Sequence, residues 1–171
     1  GAYFSKGEYD RAIADYDEVI RRQPDYLDAF FSRAVAYLSK GDYDHAIADF
    51  DGVIRRKPDY RDAFLDRGTA FLRKGDYDRG IADINRAIAG ADQALRLKPD
   101  FARVLNSACW ARATFHRELD LALSQCTEAL KLTPDAAGIL DSRALVNFQM
   151  GGLGAAIADA SAALAKNPKM P

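Results

Sequence analysis

Five of the six prolines, Pro24, Pro58, Pro99, Pro134 and Pro168, are separated by 34, 41, 35 and 34 residues, and each closes the same local pattern. A fixed step of this length marks a repeat architecture, in which every unit is one supersecondary element that buries apolar surface only against its neighbours. The text between the prolines recurs almost unchanged. KGEYDRAIADYDEVIRRQPDY at 6–26 returns as KGDYDHAIADFDGVIRRKPDY at 40–60, and KGDYDRGIADI follows at 74–84. Stability is therefore spread along a stack of small units, and stacks of this kind commonly serve as binding surfaces.

Within one unit, Phe30, Ala34 and Tyr37 form an apolar row at helical spacing before Gly41 and Asp42. Tyr43, Ala46, Ile47, Phe50, Val53 and Ile54 form a second row before Pro58. Each unit is thus two helices and a turn. Gly7, Gly41 and Gly75 stand just past the first helix, where a left-handed cap costs glycine nothing, and the acid that follows favours the start of the next helix. Proline then ends the second helix.

A bulky, a small and an aromatic residue along the first helix, Gly-Asp-Tyr in the turn, then Ala, an aromatic, a small or branched residue and Pro: this order resembles the tetratricopeptide repeat family. In the best unit the roles fall to Phe30, Ala34, Tyr37, Ala46, Phe50, Val53 and Pro58. The resemblance covers nearly the whole chain and implies an all-α fold, a right-handed superhelical solenoid of antiparallel helix pairs. First helices would line a concave groove and second helices the convex back. One tetratricopeptide-repeat domain over 1–171 is expected, with a partial repeat at 1–26 and repeats at 27–60, 61–101, 102–136 and 137–171. The third repeat is seven residues too long. Because the spacing through Ile81, Ile84, Ile88, Ala91 and Leu95 stays helical, a second helix lengthened by two turns is expected there, with a kink at Gly90 as the alternative. The fourth repeat lacks the turn glycine and runs Thr114-Phe115-His116-Arg117-Glu118-Leu119, so an irregular turn is expected.

Beside the core row the first helices carry a second stripe: Phe31, Val35 and Leu38, then Leu65, Thr69 and Leu72, then Asn106, Trp110 and Ala113, then Asp141, Leu145 and Phe148. The resemblance implies that these places face the groove, whereas packing against a neighbouring helix is the plainer account for the aliphatic members. Trp110 stands where other units carry Val, Thr or Leu, and its large area and N–H donor suit a binding anchor. The expected peptide-binding set is Phe31, Val35, Leu38, Leu65, Thr69, Leu72, Arg73, Asn106, Trp110, Leu145 and Phe148. Chaperone-binding members of the family grip a C-terminal carboxylate with Lys and Asn. Here Phe31, Leu65 and Asp141 stand for the lysine, and Val35, Thr69 and Leu145 for one asparagine, so that grip is missing.

Arg33, Arg67 and Arg143 interrupt the core row, and each lies sixteen residues before an aspartate, Asp49, Asp83 or Asp159. In the fourth repeat both partners change together, to Ala108 and Gln125, which points to structural ion pairs between paired helices; shared ancestry of duplicated units is the alternative. Cys109 and Cys126 fall at two inward sites of one repeat. Without C-x-x-C spacing or clustered histidines they make no metal site, and buried free thiols are expected, with a disulfide second. His45 lies on a polar face and His116 in a loop. No catalytic triad spacing, phosphate loop or metal motif appears, so neither catalytic residues nor a cofactor are expected.

With 24 basic and 25 acidic residues the chain offers no charged field for nucleic acid or a membrane surface, and no run nears the roughly 18 apolar residues of a span. The expectation is a soluble, non-enzymatic protein–protein interaction scaffold that takes a peptide or helix by apolar contact, its compartment open with the cytoplasm slightly ahead. The sequence starts without Met and in mid-pattern, which reads as a fragment, and its last helix carries Leu153, Ile157, Ala160 and Leu164 where a polar cap would stand. Two alternatives therefore stand beside the scaffold: a self-assembly module stacking through its ends into a homo-oligomer, and a regulatory appendage of an enzyme.

Overall fold

The computed structural model describes residues 6–91, 96 and 98–167, and among these it holds nine α-helices and no strand. They divide into two compact units, Gly1–Gly90 and Ala91–Pro171. The first contains α1 (Lys6–Arg22), α2 (Leu27–Lys40), α3 (Tyr43–Arg56), α4 (Arg61–Arg73) and α5 (Tyr77–Ala89). The second contains α6 (Pro99–Thr114), α7 (Leu119–Leu132), α8 (Ala137–Gln149) and α9 (Leu153–Lys166). In each unit every helix packs on the next, and first helices also meet, α2 with α4 and α6 with α8.

The turn chemistry explains the antiparallel pairing. Gly41 and Gly75 take φ of 88° and 84°, a left-handed conformation that only glycine adopts freely, and the Gly41 N–H returns to the Leu38 carbonyl at 3.1 Å. Asp42 and Asp76 then cap the following helices, their carboxylates accepting from the His45 and Arg79 backbone N–H groups. The core runs between the helices of one pair and the first helix of the next. Ala34, Ala46, Phe50, Val53 and Ala63 are fully buried, and Phe31 stacks on Tyr60 at 5.0 Å while meeting Phe50 edge-on at 5.7 Å. The α4 and α5 backbones approach more closely still. A Cβ on Gly68 would lie 2.8 Å from the Gly80 carbonyl oxygen, so that contact is open only to glycine.

The expected lengthening of the third repeat's second helix is not found. α5 ends at Ala89, and the Gly90 N–H closes it on the Arg86 carbonyl at 3.0 Å. Glycine costs about 1 kcal/mol inside a helix, and apolar spacing carries no information about where the backbone breaks. Leu95, the last residue of that expected stripe, lies outside the described residues. The fourth repeat's turn is irregular, as its missing glycine predicts: His116 and Glu118 hold φ of 52° and 47° without being glycine.

Candidate interaction surface

Three arginines set the geometry between helices. Arg33 on α2 donates through Nε and Nη2 to both Asp49 carboxylate oxygens on α3, each at 2.7 Å. Arg67 on α4 does the same to Asp83 on α5 at 2.7 and 2.8 Å, and Arg143 on α8 to Asp159 on α9 at 2.8 and 2.6 Å. These are fork-to-carboxylate pairs, partly buried and charge-assisted. The hydrogen bonds to the aspartates hold the three guanidiniums more firmly protonated than usual, against the opposing effect of burial.

The remaining nitrogen reaches a second carboxylate that sequence reasoning missed. Arg33 Nη1 donates to Asp17 on α1 at 2.6 Å, and Arg67 Nη1 to Asp51 on α3. Each of these arginines therefore joins the preceding repeat to its own. The signal was present, since Asp15 with Asp17 and Asp49 with Asp51 recur, but acids two apart diverge on a helix and say little individually. Thr127 occupies the corresponding place before Arg143, whose aspartate is instead shared with Asn147 at 3.0 Å.

In the fourth repeat the role passes to Arg112, one helical turn beyond Ala108. It is 1% exposed; Nη1 donates to Gln125 Oε1 at 3.0 Å and Nε to Glu118 Oε2 at 3.0 Å. Its side chain thus holds the irregular turn that Glu118 makes. Beside it, Cys109 and Cys126 form a disulfide between α6 and α7, with Cα atoms 5.6 Å apart. This corrects the expectation of free thiols. Two inward positions that face each other across a helix pair bring Cα atoms to bonding distance without any short-range motif.

The expected peptide-binding residues separate by burial. Leu65 and Leu72 are 1% and 6% exposed and belong to the interior; Leu72 packs on Gly80, where an added Cβ would meet it at 2.6 Å. They offer no surface to a peptide, and glycine at 80 lets α5 close over Leu72. Phe31, Val35, Leu38 and Thr69 are half-buried, with Phe31 in the aromatic cluster and the Thr69 hydroxyl bonded to the Leu65 carbonyl. Val35 lines a cavity of about 470 Å3 with Tyr9, Ala12, Tyr16, Ser32 and Ala36. Arg73 is exposed. In the second unit Asn106 and Trp110 are half-buried on α6, and Leu145 and Phe148 are exposed on α8. Gln149 ties the ends of these two helices together, its amide donating to the Ala113 carbonyl at 2.9 Å. Among the described residues no three His, Cys, Asp or Glu gather as a metal site, and no helix is long and apolar enough to cross a membrane.

Paired helices repeating at a near-constant step, with left-handed glycines at the turns, define an all-α helical-repeat solenoid. A family model for the tetratricopeptide repeat matches residues 2–61 and 36–100. The chain belongs to the tetratricopeptide repeat family. Among solved structures it resembles a MamA segment from Desulfovibrio magneticus, with 17% identity and a TM-score of 0.79 over 96% of this chain and 89% of that one. A thermophilic TPR protein of Thermus thermophilus shares 22% identity at a TM-score of 0.73, over 95% of this chain and 85% of that one. YrrB, described as a TPR protein with an unusual peptide-binding site, shares 20% at 0.73, over 95% and 80%. At these identities the likeness is one of fold. A comparison with curated protein sequences gives no match.

Proposed function

We propose that the chain is a non-enzymatic protein–protein interaction scaffold and that its second unit holds a peptide or helix against α6 and α8 by apolar contact. The observation that carries this reading is the exposure of Phe148, at 61%, and Leu145, at 37%, on the helix that packs beside the one bearing Trp110. Exposed aromatic and aliphatic side chains next to a half-buried indole give a partner large apolar area around an anchor. The exposed Arg73 and the half-buried Val35 and Thr69 extend the same reading to the first unit, where Phe31 and Leu38 are taken up by packing on its core. Peptides selected on the intact protein from a displayed library, then measured by calorimetry, test the proposal. Trp110→Ala and Phe148→Ala should each weaken binding roughly tenfold or more, the cost of truncating an interface anchor. Unchanged affinity in both variants, with helical content retained, refutes it.

A second reading, self-assembly, has its own observation. Leu153, Ile157 and Leu164 on α9 are 58%, 66% and 50% exposed. With Ala160 they repeat the spacing of Leu27, Phe31, Ala34 and Leu38, the row by which α2 packs into the core formed with α3 and α4. Such a stripe suits burial against a second copy of the chain. Light scattering across concentration should then show mass growing in the native protein and staying monomeric in Ile157→Glu; a monomer at every concentration sinks this reading.

A further inference from the structure

In the first unit, the loop before α4, the start of α4 and the end of α5 enclose a cavity of about 340 Å3 lined by Pro58, Asp59, Arg61, Phe64, Arg86 and Gly90. Arg61 forms its inner wall, with only 19% of the side chain exposed. Its Nη2 donates to Asp62 at 2.9 Å, but its Nη1 is buried with no hydrogen-bond partner. Arg86 is exposed at the rim and lies over the Phe64 ring, 5.4 Å from the centroid. Arg67, whose guanidinium also stands 5.5 Å from that ring, is already committed to Asp51 and Asp83.

A buried N–H without an acceptor has lost its water and gained nothing in return, so an incoming acceptor is favoured by the whole of that deficit. The two lining guanidiniums outnumber the one lining carboxylate, Asp59. Guanidinium is also the side-chain group whose planar fork matches an oxyanion. The Phe64 ring supplies an apolar floor for the carbon that carries the charged group.

We propose that this cavity takes an oxyanion borne by a polypeptide partner, the carboxylate of an acidic side chain or a phosphoryl group, with Arg61 as the inner ligand and Arg86 as the outer one. The site goes beyond the apolar surface of α6 and α8 and uses none of its residues, so Trp110→Ala and Arg61→Gln report on the two readings separately. The test follows the arginine Nε–Hε resonances of the full chain by NMR at constant ionic strength. Three blocked tripeptides serve as probes: Ala-Glu-Ala, Ala-phosphoserine-Ala and the neutral Ala-Gln-Ala. Saturable shifts at Arg61 and Arg86 are expected with one or both charged probes, the tighter of them naming the source of the oxyanion, and none with the glutamine probe. Arg61→Gln should weaken that binding roughly tenfold or more, and Arg61→Lys should recover only part of it because a point charge cannot fork. If Arg61→Gln fails to fold, the exposed Arg86→Gln carries the same expectation of weakened binding. Shifts that never saturate, an equal response to the glutamine probe, or undiminished affinity in a folded variant overturns the proposal.

Discussion

Reducing the Cys109–Cys126 bond should destabilise the second unit by an amount that follows from the chain it closes. The cysteines are 17 residues apart, and both are fully buried where α6 meets α7. The closed loop restricts the unfolded chain, and loop-closure entropy for that length gives about 3 kcal/mol at 25 °C. For a unit of this size 1 kcal/mol moves the melting temperature by about 4–8 °C, so the shift should be about 12–24 °C downward. Because the bond is sealed from solvent, reductant must be added to unfolded protein, which is then refolded and assayed by alkylation and mass. The sole tryptophan, Trp110, adjoins Cys109, and its fluorescence reports the transition locally. Melts of the oxidised and fully reduced proteins that coincide would refute the reasoning, as would two freely alkylated thiols in the protein before reduction.

Asp83→Asn keeps the shape of the side chain but leaves the Arg67 guanidinium with a neutral partner in a half-buried setting; a loss of about 2 kcal/mol is expected in urea unfolding, and none would mean the pair is idle. Gly68→Ala places a Cβ 2.8 Å from the Gly80 carbonyl oxygen and 3.0 Å from Ile84, and should cost about 2 kcal/mol or more in the same assay. Gly138→Ala, in an exposed part of α8 with nothing within 4 Å, should instead gain about 0.5–1 kcal/mol; equal effects of the two would dismiss the packing argument. Hydrogen bonds from the Arg79 side chain and backbone hold the Asp76 carboxyl below its ordinary value of 3.8. A lowered carboxylate stabilises the fold above its unfolded pKa, and the contribution is lost as pH falls through the folded one. Urea midpoints measured from neutral pH downward should therefore fall less in Asp76→Asn than in the native protein at the acid end, and parallel curves would remove Asp76 from the acid response.

What the sequence made legible was whatever repeats. Gly41 and Gly75 could be placed at helix ends because the same residue recurs at the same step, and Arg33, Arg67 and Arg143 drew notice because each breaks an apolar row at the same position as an aspartate sixteen residues on. Features peculiar to one repeat were harder to read. The end of α5 was misplaced because Ile88 and Ala91 keep a helical spacing across Gly90, and hydrophobic periodicity does not register a backbone break. Arg112 was overlooked because it lies a turn away from the position its counterparts hold, so a substitution looked like a loss. Leu65 and Leu72 were assigned to a surface from their place in the stripe, yet both are buried, Leu72 against a glycine in the facing helix, a three-dimensional coincidence that one row of letters does not display.

The two-handed grip of Arg33 and Arg67 bears on how such a chain can lengthen. A 34-residue copy of the module carries an arginine, an aspartate for that arginine, and a further aspartate to offer the module behind it. Inserted between existing copies, it would meet a waiting carboxylate ahead and supply one behind, leaving no buried charge orphaned at either seam. Past the fourth repeat, where Thr127 stands in place of that outgoing acid, the same insertion would leave its arginine with its own aspartate alone, as Arg143 has with Asp159. Duplication thus keeps the two-carboxylate grip where an outgoing acid is present and halves it after Thr127.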